Sequence, residues 1–469
     1  MDPEKEERLK EEAREITIKE GSAYAVSDGL GIRGVTPYLL AIGKNSSNIN
    51  LYIGLLSSLP SLLGNFIQLL SARLIEKYSR KKIVFLSVFF QAIVWLAMLI
   101  PGILYFYLGS SSDYSAMLVV IIYTLLAVAG SSAGPAWNSW MGAIAPAPNK
   151  RASFFGRRNK QIGAISLVFG LIGSFILDYF QKTHIFVAFI ILFGVSFIFR
   201  LRSAYYFKKE YEPKLELKSD YYFSFFSFIK KMHSNNFGKF TLFVAMFSGA
   251  VAIASPFFAV YMLTDLQLSY TFYMIITLAA SLASLLSMPL WGKIIDNFGM
   301  VKVMKFTGLF AALSPLFWLP SLLFTNLNNV LFFLVFVELF SGFVWGGFNL
   351  AISNFIFSAV TKERIGICTS YYSLIISVFV FFSALAGGYL ASIDYGLAIP
   401  SVFIVFIVSA FFRLAIYFSA LPKIHEVGEF IDGSVNSEIK KSLSEERKHI
   451  EARLRHVINL RFSRPKGVQ

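Results

Sequence analysis

Long apolar runs alternate with short polar and charged stretches along most of the chain. A helix needs about 20 mostly apolar residues to cross the hydrocarbon core of a bilayer. Twelve runs meet this requirement, and we predict a membrane-spanning helix, numbered helix 1 to helix 12, in each of these ranges: 21–43, 49–72, 83–107, 114–145, 160–180, 184–206, 238–264, 267–291, 301–324, 328–358, 366–391 and 397–420. The pattern therefore predicts an all-α membrane protein with twelve transmembrane helices.

A polar and basic stretch divides these helices into two groups of six. We predict five segments: a cytosolic N-terminal tail at 1–20, an N-terminal six-helix bundle at 21–206, a cytosolic linker at 207–237, a C-terminal six-helix bundle at 238–420 and a cytosolic C-terminal tail at 421–469. An interfacial helix is predicted in the linker, where the aromatic run 221–228 precedes two lysines. The C-terminal tail is expected to be solvated, with an amphipathic surface helix as the alternative.

Lysine and arginine are unevenly distributed between the two ends of the predicted helices. Of the 43 basic residues, 40 lie in or next to the tails, the linker and the loops that follow even-numbered helices. Short loops rich in lysine and arginine stay in the cytoplasm. Both termini are therefore predicted to be cytosolic in a multi-pass protein of the cell (plasma) membrane. Anionic lipid headgroups explain the net charge of +15, and a nucleic-acid partner is not expected.

Composition narrows the possible chemistry. Hydrophobic residues make up 56% of the chain and charged residues 15%, which favours a membrane protein over a water-soluble one. The single Cys368 and five histidines without ligand-like spacing predict no disulfide framework and no metal site. The sequence has no nucleotide-binding pattern and no convergent catalytic set near one membrane face, so neither a cofactor nor an enzyme activity is expected.

The two groups of helices resemble each other in sequence. Four pairs of short motifs recur in the same order with offsets of 213 to 220 residues: Thr36-Pro37-Tyr38 with Ser255-Pro256-Phe257, Glu76 with Asp296, Arg151 with Arg364, and Phe199-Arg200-Leu201 with Phe412-Arg413-Leu414. Parallel six-helix repeats place a solute site at their interface near the middle of the membrane. The site opens to each side when one half rocks against the other.

Two loops and two helices carry a resemblance to a known family. The loop after helix 2 reads Ala72-Arg-Leu-Ile-Glu76-Lys77-Tyr78-Ser79-Arg80-Lys81, and the loop after helix 8 begins Gly292-Lys-Ile-Ile-Asp296. Both resemble the loop motif of the major facilitator superfamily, although the first copy lacks both glycines. Two further segments resemble a prokaryotic branch of this superfamily whose substrates are mostly unassigned. One is helix 4 with its following loop, Pro135-Ala-Trp137-Asn138-Ser139-Trp140 and Arg151 to Asn159, and the other is Ser341 to Ala351 in helix 10. The resemblance covers about 20–420 and implies two pseudo-symmetric six-helix bundles, the major facilitator fold, and a monomer.

The charged loops predict a cytoplasmic gate. An acid at the end of helix 2 can pair with nearby basic groups and accept bonds from a helix N-terminus, and such a latch would hold the two halves closed. The predicted gate comprises Glu76, Lys77, Arg80, Lys81, Arg151, Arg157, Arg158 and Asp296. For the basic residues alone a positive-inside anchor is favoured, whereas for Glu76 and Asp296 the latch is favoured.

Three ionisable residues, Asp28, Arg33 and Glu338, lie at membrane depth. A charge there costs about 3 kcal/mol on insertion scales, so each residue is a functional candidate. We predict that Arg33 binds an anionic substrate group or acts as a counter-ion, and that Asp28 or Glu338 is the proton-coupling carboxyl. A fixed ion pair between helices is the alternative. Arg200 and Arg413, near cytosolic helix ends, are expected to be anchors that reach the membrane surface.

Aromatic and amide side chains recur in helices 4 and 10, which line the central cavity in the resembled superfamily together with helices 1 and 7. Tryptophan and asparagine combine apolar faces with hydrogen-bonding groups and suit sugar, amphipathic or aromatic solutes. The predicted solute site therefore also contains Tyr38, Trp137, Asn138, Trp345 and Asn349. Interhelical packing is the alternative for the asparagines, and Trp140 is expected in the interfacial aromatic belt.

Together these patterns predict a secondary active transporter that moves a small solute by alternating access, with protons as a candidate second substrate and membrane lipid as its other partner. Within transport, a drug or metabolite exporter is the alternative to a nutrient importer. Outside transport, the alternative is a transport-inactive sensor or assembly factor built on the same scaffold.

Overall fold

The computed structural model describes residues 3–71, 74, 77–146, 148–213, 224–360, 364–396 and 399–427, with only the backbone described at 3, 148, 149, 151 and 152. Every regular element in these ranges is helical. Eleven described helices are long and apolar enough to cross a membrane: helix 2 (Ile49–Ser71), helix 3 (Arg80–Phe106), helix 4 (Ser112–Ile144), helix 5 (Pro148–Phe180), helix 6 (Ile185–Lys209), helix 7 (Asn236–Asp265), helix 8 (Tyr270–Phe298), helix 9 (Met300–Leu323), helix 10 (Leu327–Ala359), helix 11 (Ile365–Ser392) and helix 12 (Val402–Lys423).

Helix 1 is the twelfth and least regular span. It runs as an α-helix over Pro3–Ser27, as a π-helical turn over Asp28–Ile32 and as an α-helix again over Arg33–Ile42. Its membrane part is less apolar than the other spans because it contains Asp28, Arg33 and several glycines. The predicted all-α fold and the order of its helices are thereby confirmed, although helix 1 begins at Pro3 instead of 21 and helix 5 at Pro148 instead of 160.

Helix 1 also includes most of the segment that was expected to be a polar tail. Ala13 and Thr17 are fully buried. The Arg14 Nε donates to the Ile144 carbonyl at 2.8 Å, and the Thr17 hydroxyl lies 3.3 Å from the Met141 sulfur. The start of helix 1 is therefore packed against the end of helix 4.

Short polar side chains fix where several helices begin. Ser79, Ser111 and Ser269 accept a hydrogen bond from the backbone N–H three residues ahead, at the N-termini of helices 3, 4 and 8. Asn235 does the same for helix 7. Such N-caps satisfy donors that the first helical turn leaves unpaired. Large apolar side chains such as Phe226 and Phe332 remain exposed on the outside, where a bilayer can accept them.

The helices form two halves with the same internal arrangement. In the first half, helix 4 packs against helices 2 and 3, and helix 6 against helices 1 and 3. In the second half, helix 10 packs against helices 8 and 9, and helix 12 against helices 7 and 9. Each pair in one half has its counterpart six helices later, which is the pseudo-symmetry that the repeated motifs predict.

The two halves meet along helices 2 and 11 and along helices 5 and 8. Glycines permit the first contact: a Cβ on Gly54 would lie 2.6 Å from the Ala384 carbonyl oxygen, and one on Gly388 would lie 2.8 Å from the Asn50 carbonyl oxygen. The Asn50 amide donates to the Ala391 carbonyl at 2.9 Å. These contacts lie far from the lysine- and arginine-rich loops, at what we call the opposite end of the bundle; the other end is called the basic end.

The second contact at the opposite end joins helix 5 to helix 8. The Asp178 carboxylate near the end of helix 5 accepts hydrogen bonds from the Tyr270 N–H at 2.7 Å and the Thr271 N–H at 2.9 Å. Asp178 therefore caps the first turn of helix 8 across the boundary between the halves. A buried apolar cluster at this end also contains residues of both halves, among them Phe189 and Phe257.

The described part of the linker contains a short helix, Phe225–Lys231, whose buried Phe228 packs against Tyr371 of helix 11 with ring centroids 5.7 Å apart. This helix agrees with the interfacial helix predicted nearby. Residues 428–469, most of the predicted C-terminal tail, lie outside the described residues.

Candidate functional site

The π-helical turn of helix 1 brings two predicted site residues to different neighbours. A Cβ on Gly29 would lie 2.6 Å from the Ser166 carbonyl oxygen, so helix 1 approaches helix 5 very closely at this turn. The turn also carries Asp28 at its start and is followed directly by Arg33. Single π turns within α-helices are frequent at functional sites.

Asp28 is partly buried and bonded to hydroxyl groups. The Ser166 hydroxyl of helix 5 donates to one carboxylate oxygen at 2.6 Å, and the Tyr24 hydroxyl donates to the other at 3.5 Å. Within the described part of the chain, no ion pair joins Asp28 to a basic residue. Among the described residues its carboxylate is therefore held by hydrogen bonds from hydroxyl groups.

Arg33 lies where the two halves meet. A Cβ added to Gly170 of helix 5 would lie 3.1 Å from the Arg33 Cδ and 3.6 Å from the Met274 sulfur of helix 8, so Arg33 lies close to both helices. The Arg33 Nε is buried and has no hydrogen-bond partner among the described residues. A buried donor of a cation costs about 1–3 kcal/mol or more when it stays unpaired. The position thus presents an unsatisfied positive group at the interface between the halves.

A buried ionic cluster links helices 1, 3, 5 and 6 at the basic end of the first half. Glu20, Arg158 and Arg200 are 3%, 7% and 8% exposed. The Glu20 carboxylate lies 3.4 Å from the Arg158 guanidinium and 3.8 Å from the Arg200 guanidinium, and it accepts a 2.7 Å bond from the Ser203 hydroxyl. Arg200 Nε also donates to the Gln91 side-chain oxygen at 3.0 Å. The expectation that Arg200 is an anchor reaching the membrane surface is therefore wrong, because its charge is neutralised inside the bundle.

Polar and aromatic contacts continue from Asp28 to this ionic cluster and beyond. The Tyr24 ring lies 5.0 Å from the Arg200 guanidinium, and the Trp137 ring lies 5.1 Å from that of Arg158. Trp137, Asn138 and Arg158 line a cavity of about 390 Å³ at the basic end of helices 4 and 5. Asp28 is therefore connected to the basic end by a run of polar side chains along the inner side of helix 1.

A second cavity, which we call the C-half cavity, lies among helices 7, 8, 9, 10 and 12 and measures about 380 Å³. It holds Glu338 and Trp345 of the predicted site, together with Trp318 and Arg413. Its hydroxyl groups come from five serines, namely Ser255, Ser281, Ser284, Ser314 and Ser341.

Arg413 is 1% exposed and is not an anchor, so this expectation is also wrong. One terminal nitrogen donates to the Ala311 carbonyl at 2.9 Å and to the Ser314 hydroxyl at 3.0 Å, while the other donates to the Val251 carbonyl at 3.4 Å. Its Nε has no partner among the described residues. The repeat motif that suggested two anchors instead marks one buried arginine in each half.

The remaining predicted solute contacts are dispersed. Tyr38 is fully buried, and its hydroxyl donates to the Met98 carbonyl at 2.9 Å within an aromatic core that includes Phe193. Asn349 is exposed, and its carbonyl accepts a 2.9 Å bond from the Ser353 hydroxyl. Trp140 is fully buried and donates to the Tyr211 carbonyl at 2.9 Å, so its expected place in an aromatic belt is wrong.

The predicted gate residues fall into three groups. Glu76 and the side chain of Arg151 lie outside the described residues. Lys77, Arg157 and Asp296 are exposed. The third group is bonded within the protein: Arg80 is 1% exposed with its Nε 3.3 Å from the Glu212 carboxylate, Lys81 donates to the Glu210 carbonyl at 2.9 Å, and Arg158 pairs with Glu20 in the ionic cluster.

Two acids that follow the last helix of each half play matching roles. Glu212 accepts a 2.8 Å bond from the Arg80 N–H at the start of helix 3. Glu426 accepts bonds from the Met300 N–H at 2.9 Å and the Val301 N–H at 2.8 Å at the start of helix 9. Carboxylates at helix N-termini are stabilised by unpaired donors and the helix dipole. The sequence analysis missed both acids, although their offset of 214 residues matches that of the repeats.

Glu210, between helix 6 and Glu212, is a buried acid of a different kind. It is fully buried, and neither carboxylate oxygen has a hydrogen-bond partner among the described residues. Burial, reinforced by the negative charge of Glu20, raises the pKa of Glu210 to about 9, against the opposing effect of Arg158 and Lys81. Glu210 therefore carries a proton at neutral pH. In the described part of the chain no group of three or more His, Cys, Asp or Glu side chains could hold a metal ion.

Comparison with protein families identifies a matching group. A model of the Major Facilitator Superfamily matches the chain twice, over residues 24–258 and over residues 240–462. The two matches correspond to the two halves of the fold. A comparison with curated proteins gives no match.

Solved structures share the fold at low sequence identity. A bacterial homologue of the iron transporter ferroportin in its inward-facing state has a TM-score of 0.64 and 11% identity over 89% of this chain and 98% of that one. An outward-facing structure of a bacterial ferroportin homologue has a TM-score of 0.57 and 14% identity, over 88% of this chain and 98% of that one. A bacterial homolog to the human lysosomal transporter Spinster, in an inward-facing and occupied conformation, has a TM-score of 0.63 and 13% identity, over 88% of this chain and 96% of that one.

Proposed function

Because the chain belongs to the major facilitator superfamily, we propose that it is a secondary active transporter that moves a small solute across the cell membrane by alternating access of its two six-helix halves. The observation that carries this proposal is Arg33, a positive group with an unsatisfied donor at the contact of helices 1, 5 and 8. An ionisable residue at membrane depth marks a solute or ion pathway by default.

The contacts between the halves support a rocking motion. At the opposite end, Asn50 joins helices 2 and 11, and Asp178 joins helices 5 and 8. Further towards the basic end, the Asn65 amide of helix 2 donates to the Ser373 carbonyl of helix 11 at 3.1 Å. At the basic end, the ion pairs of Arg80, Arg158 and Arg200 all lie within the first half and its following segment. Opening the opposite end would break the bonds of Asn50 and Asp178 and separate the shared apolar cluster, while the ion pairs within the first half stay in place.

The orientation follows from the charges. Loops rich in lysine and arginine stay in the cytoplasm, so the basic end and both termini face the cytosol. We propose that the molecule is in an inward-facing state, because the bonds of Asn50 and Asp178 join the halves at the opposite end.

Proton coupling is proposed through Asp28. Its carboxylate is held by the hydroxyls of Ser166 and Tyr24 and is not locked in an ion pair within the described residues. The polar side chains from Tyr24 to Arg158 connect it to the cytoplasmic end. Arg33 then serves as the counter-ion one turn further along helix 1.

The test is a thermal-shift screen of purified protein against a broad solute library at pH 5.5 and pH 8, followed by uptake of each hit into liposomes under an imposed pH gradient. Asp28→Asn and Arg33→Ala are compared with wild type, and Lys19→Ala, an exposed change on helix 1, is the control. A solute that stabilises wild type, is taken up, and loses its proton dependence in Asp28→Asn supports the proposal. A stabilising solute that is never transported would instead favour a sensor on the same scaffold.

A further inference from the structure

The two halves contain one buried arginine each at equivalent positions, Arg200 and Arg413, but the two side chains have different surroundings. Arg200 in helix 6 is surrounded by Glu20, Gln91 and Ser203. These three groups together supply a full negative charge and two further oxygen acceptors. Arg200 therefore has a structural role, because it is neutralised and hydrogen-bonded within its own half.

In the second half, the positions equivalent to these partners carry no acceptor side chain. With the offsets of the repeated motifs and helix starts, Glu20 corresponds to Lys239, Gln91 to Ala311 and Ser203 to Ile416. The register is borne out in space, since Arg413 donates to the backbone carbonyl of Ala311, the counterpart of Gln91. Arg413 consequently has two backbone carbonyls and one serine hydroxyl as acceptors and keeps its Nε unpaired among the described residues.

The volume that partner side chains fill around Arg200 is open around Arg413. The C-half cavity of about 380 Å³ lies against this arginine, within the size range of small-molecule sites. Of the described residues that line it, only Arg413 and Glu338 are ionisable; helices 7, 8 and 9 contribute serines, apolar side chains and Trp318. No ion pair between Arg413 and Glu338 is present in the described chain.

We propose that the C-half cavity binds a small polyhydroxylated carboxylate, such as a sugar acid, with its carboxylate on Arg413, its hydroxyls on the cavity serines and its carbon skeleton against Trp318 and Trp345. A guanidinium offers planar paired donors that match a carboxylate. The serine hydroxyls both donate and accept, and the indole faces suit the apolar side of a sugar. The proposal rests on the transport function above and names the solute class and the place where it binds.

The same cavity couples the anion to a proton at Glu338, in addition to the coupling proposed at Asp28. When the cavity is empty, an ionised Glu338 is the one negative group that can offset Arg413 from the cavity wall. A bound carboxylate takes over that role and adds a second negative charge in a poorly hydrated space, which disfavours the ionised form of Glu338. One proton from solvent therefore adds to the Glu338 carboxylate as each anion binds, and the net charge of the loaded cavity equals that of the empty one.

The test compares two probes that differ in one group, D-gluconate and D-sorbitol, by calorimetry and by the fluorescence of the cavity tryptophans in the purified full-length protein. Gluconate is expected to bind, and sorbitol about 10- to 100-fold more weakly, because a charge-assisted contact contributes about 1.5–3 kcal/mol. Arg413→Gln should weaken gluconate binding by a similar factor. Arg202→Gln, an exposed arginine in the helix that carries Arg200, should bind like wild type.

Two further variants test the same inference if Arg413→Gln folds poorly. Ser281→Leu narrows the cavity from helix 8 and keeps Arg413, and it should also abolish gluconate binding. Glu338→Gln should bind gluconate but lose the uptake of about one proton per anion, measured with a pH-sensitive dye in weakly buffered solution.

Three binding results would overturn the inference: equal binding of gluconate and sorbitol, gluconate binding that survives both Arg413→Gln and Ser281→Leu, or no binding of gluconate by wild type. Transport of another solute with no dependence on Arg413 would also overturn it, while leaving the proposed transport function in place. Binding that is lost in Arg33→Ala but intact in Arg413→Gln would move the anion to the interface between the halves.

Discussion

Buried charges in this protein are distinguished by their partners, and the partners come from distant parts of the sequence. Asp28, Arg33 and Glu338 could be selected from the sequence because each interrupts an apolar run. The pairing of Glu20 with Arg158 and Arg200 could not, because it joins residues 138 and 180 positions apart and depends on how helices 1, 5 and 6 pack. Glu20 looked like the last residue of a charged tail.

Glu20→Gln should destabilise the first half strongly. Both arginines would keep their buried charge without a counter-ion, and breaking a buried pair from one side costs about 3–5 kcal/mol. The expected result is a markedly lower melting temperature in detergent, followed by circular dichroism. Glu15→Gln, an exposed acid on the same helix, should melt like wild type. A Glu20→Gln protein of unchanged stability would show that the cluster is held by packing rather than by charge.

Glu210 should make stability depend on pH. Its folded-state pKa of about 9 is far above the ordinary value of 4.5, so the folded protein binds a proton that the unfolded chain releases between these two values. Stability from this group is therefore fully present below about pH 4.5 and is lost as the pH rises towards 9. Melting temperatures should fall from pH 5 to pH 9, and Glu210→Gln, which resembles the protonated acid, should flatten that decline. An equally steep decline in Glu210→Gln would assign the pH dependence to other groups.

At the scale of elements, the chain repeats one device in both halves: an acid after the last helix caps the start of the third helix. Glu212 caps helix 3 and Glu426 caps helix 9. Sequence patterns predicted the starts of both helices to within three residues. They did not predict these caps, because the acids lie in irregular segments more than 120 residues from the helices they cap. Side-chain caps from adjacent residues, such as Ser79, are the kind that local sequence reveals.

Glu426→Ala should loosen the start of helix 9 and leave helix 3 unaffected. It removes two acceptors from the first turn, and loss of an N-cap costs about 1 kcal/mol. Hydrogen exchange followed by mass spectrometry should show faster exchange in peptides beginning at Met300. Glu212→Ala should produce the reverse pattern, with faster exchange from Arg80 and none at helix 9. Exchange that increases at both helices in either variant would indicate global loosening instead of a local cap.

For the whole molecule, periodicity and charge were enough to predict twelve helices in two related halves, because the bilayer imposes span length and orientation on the sequence. The solute site was less accessible to that reasoning. Residues selected for helix type and depth proved to be dispersed. Arg33 lies at the interface of the halves, Trp137 in the basic-end cavity and Glu338 in the C-half cavity, whereas Tyr38 lies in a buried aromatic core and Asn349 is exposed. Depth in the membrane can be counted along a helix, whereas the direction of a side chain depends on helix rotation and on irregular turns such as Asp28–Ile32.

The bond between Asp178 and the start of helix 8 should set the balance between the two states of the carrier. It is a charge-assisted contact that exists only while the halves touch at the opposite end. Asp178→Ala should therefore shift the population towards the outward-facing state by about 10-fold or more, since each such bond contributes about 1.5–3 kcal/mol. Spin labels on exposed cysteines introduced at Leu108 and Asn328, one in each half, report that opening by pulsed electron resonance in a Cys368→Ser background.

Asp113 provides the matched control for this experiment. It lies at the same end and also accepts two hydrogen bonds, at 2.7 Å from the Ser46 hydroxyl and at 3.2 Å from the Asn48 amide, but both donors belong to its own half. Asp113→Ala removes comparable bonds without removing a contact between the halves, so the label distances should stay as in wild type. If both variants open the molecule equally, the state depends on general stability at that end. If only Asp178→Ala does, the Asp178 carboxylate acts as a latch between the halves, in addition to the Asn50 bond at the same end.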